Sequence, residues 1–312
     1  MTALRICFVA AALAISALAR PAAAQAPANA PTSGYDLKRD VQFGKHDGVA
    51  LLGDLYTPRA PGKVPLVVAV HGAGWQAGSK SAYQFWGPWL AQRGIAVFSI
   101  DYRLSKPGVK MFPESLHDVR AAVQWARSGS EAINVDPDRL ALMGDSAGGH
   151  LAALAGLAGD NPTFRGTAYM DDPYANVSAK VKAVVPAYGV FDMTRQWNHD
   201  LVARPNDNIA QKYLGATPMD NRKLYFDASP MSYVTRDNSA VSFFLTYGTE
   251  DNVVDRGQSD DFLFALNQNG NYARRIVMQG SGHFWNSDPI EEPDSVSGFF
   301  APRLLRFLRE RL

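Results

Sequence analysis

Leu140-Ala141-Leu142-Met143 runs into Gly144-Asp145-Ser146-Ala147-Gly148-Gly149, and a helical pattern follows over residues 150–157. A short apolar run, a serine bracketed by glycines and a helical pattern read as strand, tight turn and helix. Glycines two residues either side of Ser146 let strand and helix close on a strained turn, which lifts the serine Oγ above the sheet. The N-terminus of the next helix lies beneath that oxygen and favours negative charge there. Turn chemistry accounts for the glycines one by one. The strand before and the helix after make a serine nucleophile the stronger reading.

Outward from this turn, further continuous apolar runs occupy residues 66–70, 95–100, 181–187, 241–247 and 273–278. Runs this short and unbroken suit strands buried on both faces of a mostly parallel sheet. Between them Leu116, Val119, Ala122, Val123 and Ala126 recur at helical spacing, with Pro113 as a first-turn residue. Residues 41–56 read as a β-hairpin turning at Lys45-His46-Asp47-Gly48. The pattern predicts an α/β fold, a mostly parallel central sheet flanked by helices. Leu304, Leu305, Leu308 and Leu312 share a face of a last helix whose Arg303, Arg306 and Arg309 form a solvated side rather than a nucleic-acid stripe. Residues 160–180 and 191–234 break the rhythm. The second reads as a small cap over a pocket, with a peripheral decoration as the competing reading.

The 312 residues are 46% hydrophobic and 20% charged, with 31 basic against 30 acidic residues and one cysteine. That composition suits a globular core and gives no field for gripping nucleic acid or an anionic membrane. Arg5, the apolar run 6–19 and Arg20-Pro21-Ala22-Ala23-Ala24-Gln25-Ala26 form a signal-peptide pattern, with cleavage expected after Ala24 and a secreted or periplasmic product. Removal of residues 1–24 takes away Arg5, Arg20 and the lone Cys7, so the remainder has no thiol. Residues 25–36 read as a flexible lead-in and 37–312 as one domain. No later apolar run reaches the length of about 20 residues that a membrane span needs. Oligomeric state carries no signal.

The run 66–70 ends in His71-Gly72-Ala73-Gly74-Trp75. Acyl transfer needs backbone N–H groups aimed where a carbonyl oxygen turns negative, and small residues allow that approach. The N–H groups of Ala73 and Gly74, with that of Ala147, are assigned to this oxyanion hole, and Gly72 is the alternative donor. His71, just before the loop, reads as a structural hydrogen-bonding residue. Downstream of Ser146 stand only His150, His199 and His283. His150 lies inside the helix after the turn and His199 in the cap. His283, in Gly280-Ser281-Gly282-His283-Phe284 after the run 273–278, is the expected base. The carboxylates in reach are Glu250, Asp251, Asp255 and Asp192. His46 and His117 have no catalytic context and are expected on the surface.

Taken in order, His71-Gly72-Ala73-Gly74-Trp75, Asp101-Tyr102-Arg103-Leu104 and Gly144-Asp145-Ser146-Ala147-Gly148-Gly149-His150 resemble the α/β-hydrolase esterases. The resemblance is strongest to the hormone-sensitive-lipase-like and feruloyl-esterase-like (BD-FAE) branch and runs from about Val41 to the C-terminus. It implies the α/β-hydrolase fold and a Ser146–Asp251–His283 triad. Asp251 matches the branch's Gly-x-x-Asp-x-x-Val pattern over residues 248–254, and His283 stands where the branch carries its base. Ala73 departs from a second glycine. The hole tolerates that change if φ is negative there.

The expected chemistry is serine carboxylester hydrolysis of short-chain or aryl esters through an acyl-enzyme, with no cofactor and no metal. The small-molecule ester is the only partner the motifs call for. Trp75, Trp86, Phe284 and Trp285 are candidates for the pocket wall, with ordinary core packing as their competing reading. Amide or formamide hydrolysis by the same triad is one alternative. A non-catalytic binding module on a hydrolase scaffold is the other.

Overall fold

The computed structural model describes residues 34–129, 131–165 and 172–312. The signal-peptide reading of residues 1–24 lies outside the described residues. Eight strands form one sheet: β1 (Tyr35–His46), β2 (Val49–Pro58), β3 (Val64–Val70), β4 (Ala96–Ile100), β5 (Val135–Asp145), β6 (Ala183–Ala187), β7 (Ser242–Gly248) and β8 (Ala273–Met278). Their order is β1-β2-β4-β3-β5-β6-β7-β8. The pairs β1–β2 and β2–β4 are antiparallel, and every pair from β4–β3 onward is parallel. The mostly parallel sheet is the one the alternating runs predicted, and it has the α/β-hydrolase fold that the resemblance implied.

The helices are α1 (Trp86–Ala91), α2 (Glu114–Ser128), α3 (Ala147–Ala158), α4 (Pro162–Arg165), α5 (Met193–Ala203), α6 (Ile209–Leu214), α7 (Arg222–Asp227), α8 (Gly257–Asn269) and α9 (Val296–Arg311). Alternation along β3 shows why the strand runs are continuously apolar. Leu66, Val68 and Val70 join a core with residues of α2, α3 and α8, whereas Val67 and Ala69 join another with α1 and α9. Each strand residue therefore meets a helix layer, whichever face it points to. Pro113 takes the N-cap position of α2 rather than its first turn. Among the described residues, no helix is long and apolar enough to cross a membrane.

Two local expectations change. The first strand starts at Tyr35, inside the stretch read as a lead-in, because Tyr35 pairs with Pro58 and Asp36 takes the Arg59 guanidinium. His46 and His117 are buried, 2% and 7% exposed, not on the surface. The hairpin turn, with Asp47 and Gly48 both at positive φ, folds against α2. There His46 Nδ1 meets Asp118 at 2.7 Å and Nε2 meets Asp172 at 3.2 Å. Asp118 also accepts from the Arg103 guanidinium, and burial beside Arg120 lowers the His117 pKa to about 4. These partners lie as far as 126 residues apart in the chain, beyond any local pattern.

Residues 191–234 hold α5, α6, α7 and a short 3-10 turn, and no strand. The segment lies over the carboxyl ends of the central strands: Phe191 stacks on Phe262 of α8 with ring centroids 4.3 Å apart. A Cβ placed on Gly74 would stand 3.3 Å from Ile209 of α6.

Candidate active site

The turn between β5 and α3 is as tight as its glycines demand. Ser146 sits at φ 52°, ψ −118°, a conformation costly for a residue with a Cβ and typical of strain held in place by its surroundings. A Cβ on Gly144 would lie 2.2 Å from the Gly148 carbonyl oxygen, and one on Gly148 would lie 2.0 Å from that of Val70. No other residue fits either position. Ser146 N–H donates to Ala187 O at 2.9 Å, which ties the elbow to β6.

Three loops at the carboxyl ends of the strands bring Ser146, His283 and Asp251 together. His283 Nε2 is 2.8 Å from Ser146 Oγ, and His283 Nδ1 is 2.7 Å from Asp251 Oδ2. The other oxygen, Oδ1, accepts from the N–H groups of Val253 and Val254 at 2.9 and 3.0 Å. The carboxylate is thus held on both sides and orients the ring whose far nitrogen faces the hydroxyl. All three residues are buried. The competing acids are engaged elsewhere. Asp192 caps α5 through Arg195 N–H, Asp255 pairs with the Arg195 side chain, and Glu250 is exposed.

The loop after β3 carries three successive residues at positive φ: Ala73 at 76°, Gly74 at 62° and Trp75 at 60°. The condition of a negative φ at Ala73 is not met: alanine occupies a backbone region that favours glycine. Several bonds over-determine that shape. Ala73 O accepts from the N–H groups of Gln76 and Ala77. Trp75 O accepts from Ser105 N–H and Oγ–H. The Trp75 indole stacks on Tyr213 with centroids 4.4 Å apart and donates to His150 Nδ1 at 3.1 Å. The N–H groups of Ala73 and Gly74 donate to no group among the described residues, and Ala147 N–H opens α3 with no helical acceptor. The Gly72 backbone lies against the Asp145 carboxyl and favours its charged form.

Burial sets the protonation of the surrounding groups. His150 is fully buried with a pKa lowered to about 4; neutral, it accepts from Trp75 and donates from Nε2 to Ala228 O at 2.7 Å. His71 is likewise held below its ordinary value by burial; it donates from Nδ1 to Gly72 O and stacks on Tyr102. Asp145 is pushed up to about 6 by burial, against the opposing hydrogen bond from Tyr83.

A cleft of about 470 Å³ opens over Ser146 and His283, walled by Ala73, Gly74, Trp75, Val254, Phe284 and the α5–α6 residues Gln196, Arg204 and Ile209. Of the four aromatics proposed for the pocket, Trp75 and Phe284 line it. Trp86 and Trp285 do not: both pack on Phe300 of α9 in the core, and the Trp86 indole donates to Asn286 O. His199 bonds Asn252 O from the exposed face of α5. Among the described residues, no group of three or more His, Cys, Asp or Glu side chains is placed to hold a metal ion.

Two contributors escaped the sequence reading. Tyr188, just past β6, packs its ring 4.6 Å from that of His283; its place at the carboxyl end of a strand was the available signal. Gln196 Nε2 donates to Val253 O at 3.0 Å, Arg204 does the same, and Gln258 Nε2 donates to Gln196 Oε1. The peptide that supports Asp251 is thereby fastened to α5. Nothing short of the fold reveals this.

A buried serine, imidazole and carboxylate in line at the carboxyl edge of such a sheet define an α/β hydrolase. The BD-FAE family model matches residues 53–266, and the chain belongs to that family. Esterase LipQ of Mycobacterium tuberculosis is 32% identical over 236 residues, covering 74% of this chain and 53% of the relative. Esterase LipC of the same organism is 31% identical over 256 residues, covering 80% and 60%. The chain thus spans between half and three-fifths of these relatives. Among solved structures, a bifunctional GH43-CE from Bacteroides eggerthii superposes with a TM-score of 0.72 at 26% identity, covering 88% of this chain and 38% of that one.

Proposed function

We propose that this protein is a serine carboxylesterase acting on short-chain or aryl esters. The observation that carries the reading is the Ser146–His283–Asp251 relay, with hydrogen bonds of 2.8 and 2.7 Å, beside unengaged loop amides. Family membership and relatives named as esterases support it. His283 takes the Ser146 proton as Oγ attacks the ester carbonyl. The oxyanion is met by the N–H groups of Ala73, Gly74 and Ala147, and losing one such donor costs about 3–4 kcal/mol of barrier. Collapse breaks the carbonyl carbon–alkoxy bond, and the imidazolium returns its proton to the departing alcohol. His283 then takes a proton from water, whose oxygen attacks the acyl-enzyme. The second collapse frees the acid and restores the Ser146 hydroxyl. Ester and water become acid and alcohol, and Asp251 stabilises the charged ring at both stages.

The 191–234 segment acts as a cap that walls the cleft, and residues 1–24 act as an export signal. The test is a panel of p-nitrophenyl acetate, p-nitrophenyl butyrate, a feruloyl ester and an N-formyl aryl amine, each with a Ser146→Ala control. Ester turnover lost in the variant supports the reading; turnover of the formyl amide alone moves the assignment to amide hydrolysis.

A further inference from the structure

The catalytic cleft does not end at the cap. A second cavity of about 850 Å³ lies between the loop 105–110 and the α5–α6 connection, and it shares Gln76 and Lys212 with the first. The two adjoin at Gln76 and Lys212, so a ligand seated at Ser146 that extends past residues 71–75 meets a groove lined by both. Its charge is one-sided in a chain whose total is nearly balanced at 31 basic to 30 acidic residues. Arg204 and Lys212 wall the cleft, and Lys106, Lys110 and Lys212 line the extension. Asp207, which pairs with Lys212, is the one acid besides the triad's neighbourhood that lines the groove among the described residues.

Two of these cations, Lys106 and Lys110, have no counter-charge among the described residues. The turn that carries them is closed by reciprocal bonds between the backbones of Lys106 and Val109, at 3.1 and 2.8 Å. The Lys110 stem lies over Gly215, where a Cβ would come within 3.2 Å of it. Arg204 gives Nη2 to Asp200 and Val253 O, while its Nε is buried without an acceptor. A groove that leads away from a nucleophile and is lined by four cations against the single acid Asp207 favours an anion on the far part of its ligand.

We propose that the preferred substrates are esters whose non-reacting portion carries an anionic oxygen group, a carboxylate or a phosphate, seated along Arg204, Lys212, Lys106 and Lys110. The inference rests on the esterase reading and names the substrate class of the same site. A neutral short ester fills only the cleft over Ser146. An anionic one also engages the extension, and its advantage falls with salt because the lysines are solvent-exposed.

The full chain is assayed on the neutral 3-(4-acetoxyphenyl)propionamide and on 3-(4-acetoxyphenyl)propionate and 4-acetoxybenzyl phosphate, the last two of which place an anion on the alcohol side. Mono-4-nitrophenyl adipate and its methyl ester place it on the acyl side. The expected result is a kcat/KM about 5- to 20-fold higher for an anionic member than for its neutral partner at low ionic strength, mostly through KM. The ratio should shrink about threefold or more at 0.5 M salt and in the Lys106→Ser/Lys110→Ser double variant. The relative rates of carboxylate and phosphate identify the anion. Equal kcat/KM across both series, or a ratio untouched by salt and by the double variant, overturns the proposal. If p-nitrophenyl acetate is not hydrolysed at all, the esterase reading fails first, which separates the two outcomes.

Discussion

Acidification should loosen this protein at His150, between the loop 71–75 and the segment 191–234. His150 Nδ1 accepts from the Trp75 indole, and Nε2 donates to Ala228 O. Both bonds need the neutral ring; an added proton would set one N–H against another. The fold holds the pKa near 4 against an ordinary 6.5, so the unfolded chain binds the proton first as pH drops. Stability is then whole above about pH 6.5 and declines towards pH 4. At 1.36 kcal/mol per pH unit the full loss is about 3 kcal/mol, and about 2.5 kcal/mol of it falls by pH 4.5. His150→Gln removes the titration while keeping a polar side chain, so it lowers stability at pH 7.5 but flattens the pH dependence. Urea unfolding followed by tryptophan fluorescence at pH 7.5, 6.5, 5.5 and 4.5 measures both proteins. Titration of His117, also held near pH 4, is common to the two and cancels in the difference. The wild-type advantage should shrink by about 2.5 kcal/mol across this range. Parallel curves, within about 0.5 kcal/mol of each other, would refute the reasoning.

Two further outcomes follow from backbone geometry and from the bonds of α5. Ala73→Gly relieves an alanine at φ 76° and should raise stability by about 0.5–1 kcal/mol in the same urea assay, with activity retained. Gln196→Leu removes a bond to Val253 O and leaves Gln258 Nε2 without its acceptor. It should cost about 1–3 kcal/mol of stability and lower kcat on p-nitrophenyl acetate roughly tenfold with little change in KM, because the Asp251 carboxylate loses its alignment on His283.

The sheet was legible because strands buried on both faces write themselves as unbroken apolar runs, and because a glycine-bracketed serine between strand and helix has few other uses. Ser146 and His283, which the structure brings together, each follow a strand and stood out through chain order, whereas Asp251 was separated from Glu250, Asp255 and Asp192 only by the Gly-x-x-Asp-x-x-Val pattern. What escaped depends on distance or on backbone angle. Trp86 and Trp285 share composition and neighbourhood with Trp75 and Phe284, yet only the second pair reaches the cleft; the side of the sheet decides, and α9 claims the first pair. The sign of φ at Ala73 is fixed by bonds from Gln76, Ala77 and Ser105 rather than by alanine's own preference. His46 looked like a turn residue because Asp118 and Asp172, its partners, are 72 and 126 positions away.

Covalent labelling tests the central claim most directly. Incubation with a fluorophosphonate, followed by intact-mass and peptide analysis, should show one adduct per chain on Ser146, loss of esterase activity in step with labelling, and no adduct on folded Ser146→Ala. Folded wild-type protein that stays unlabelled, or a Ser146→Ala variant that still hydrolyses p-nitrophenyl acetate at the wild-type rate, would contradict it.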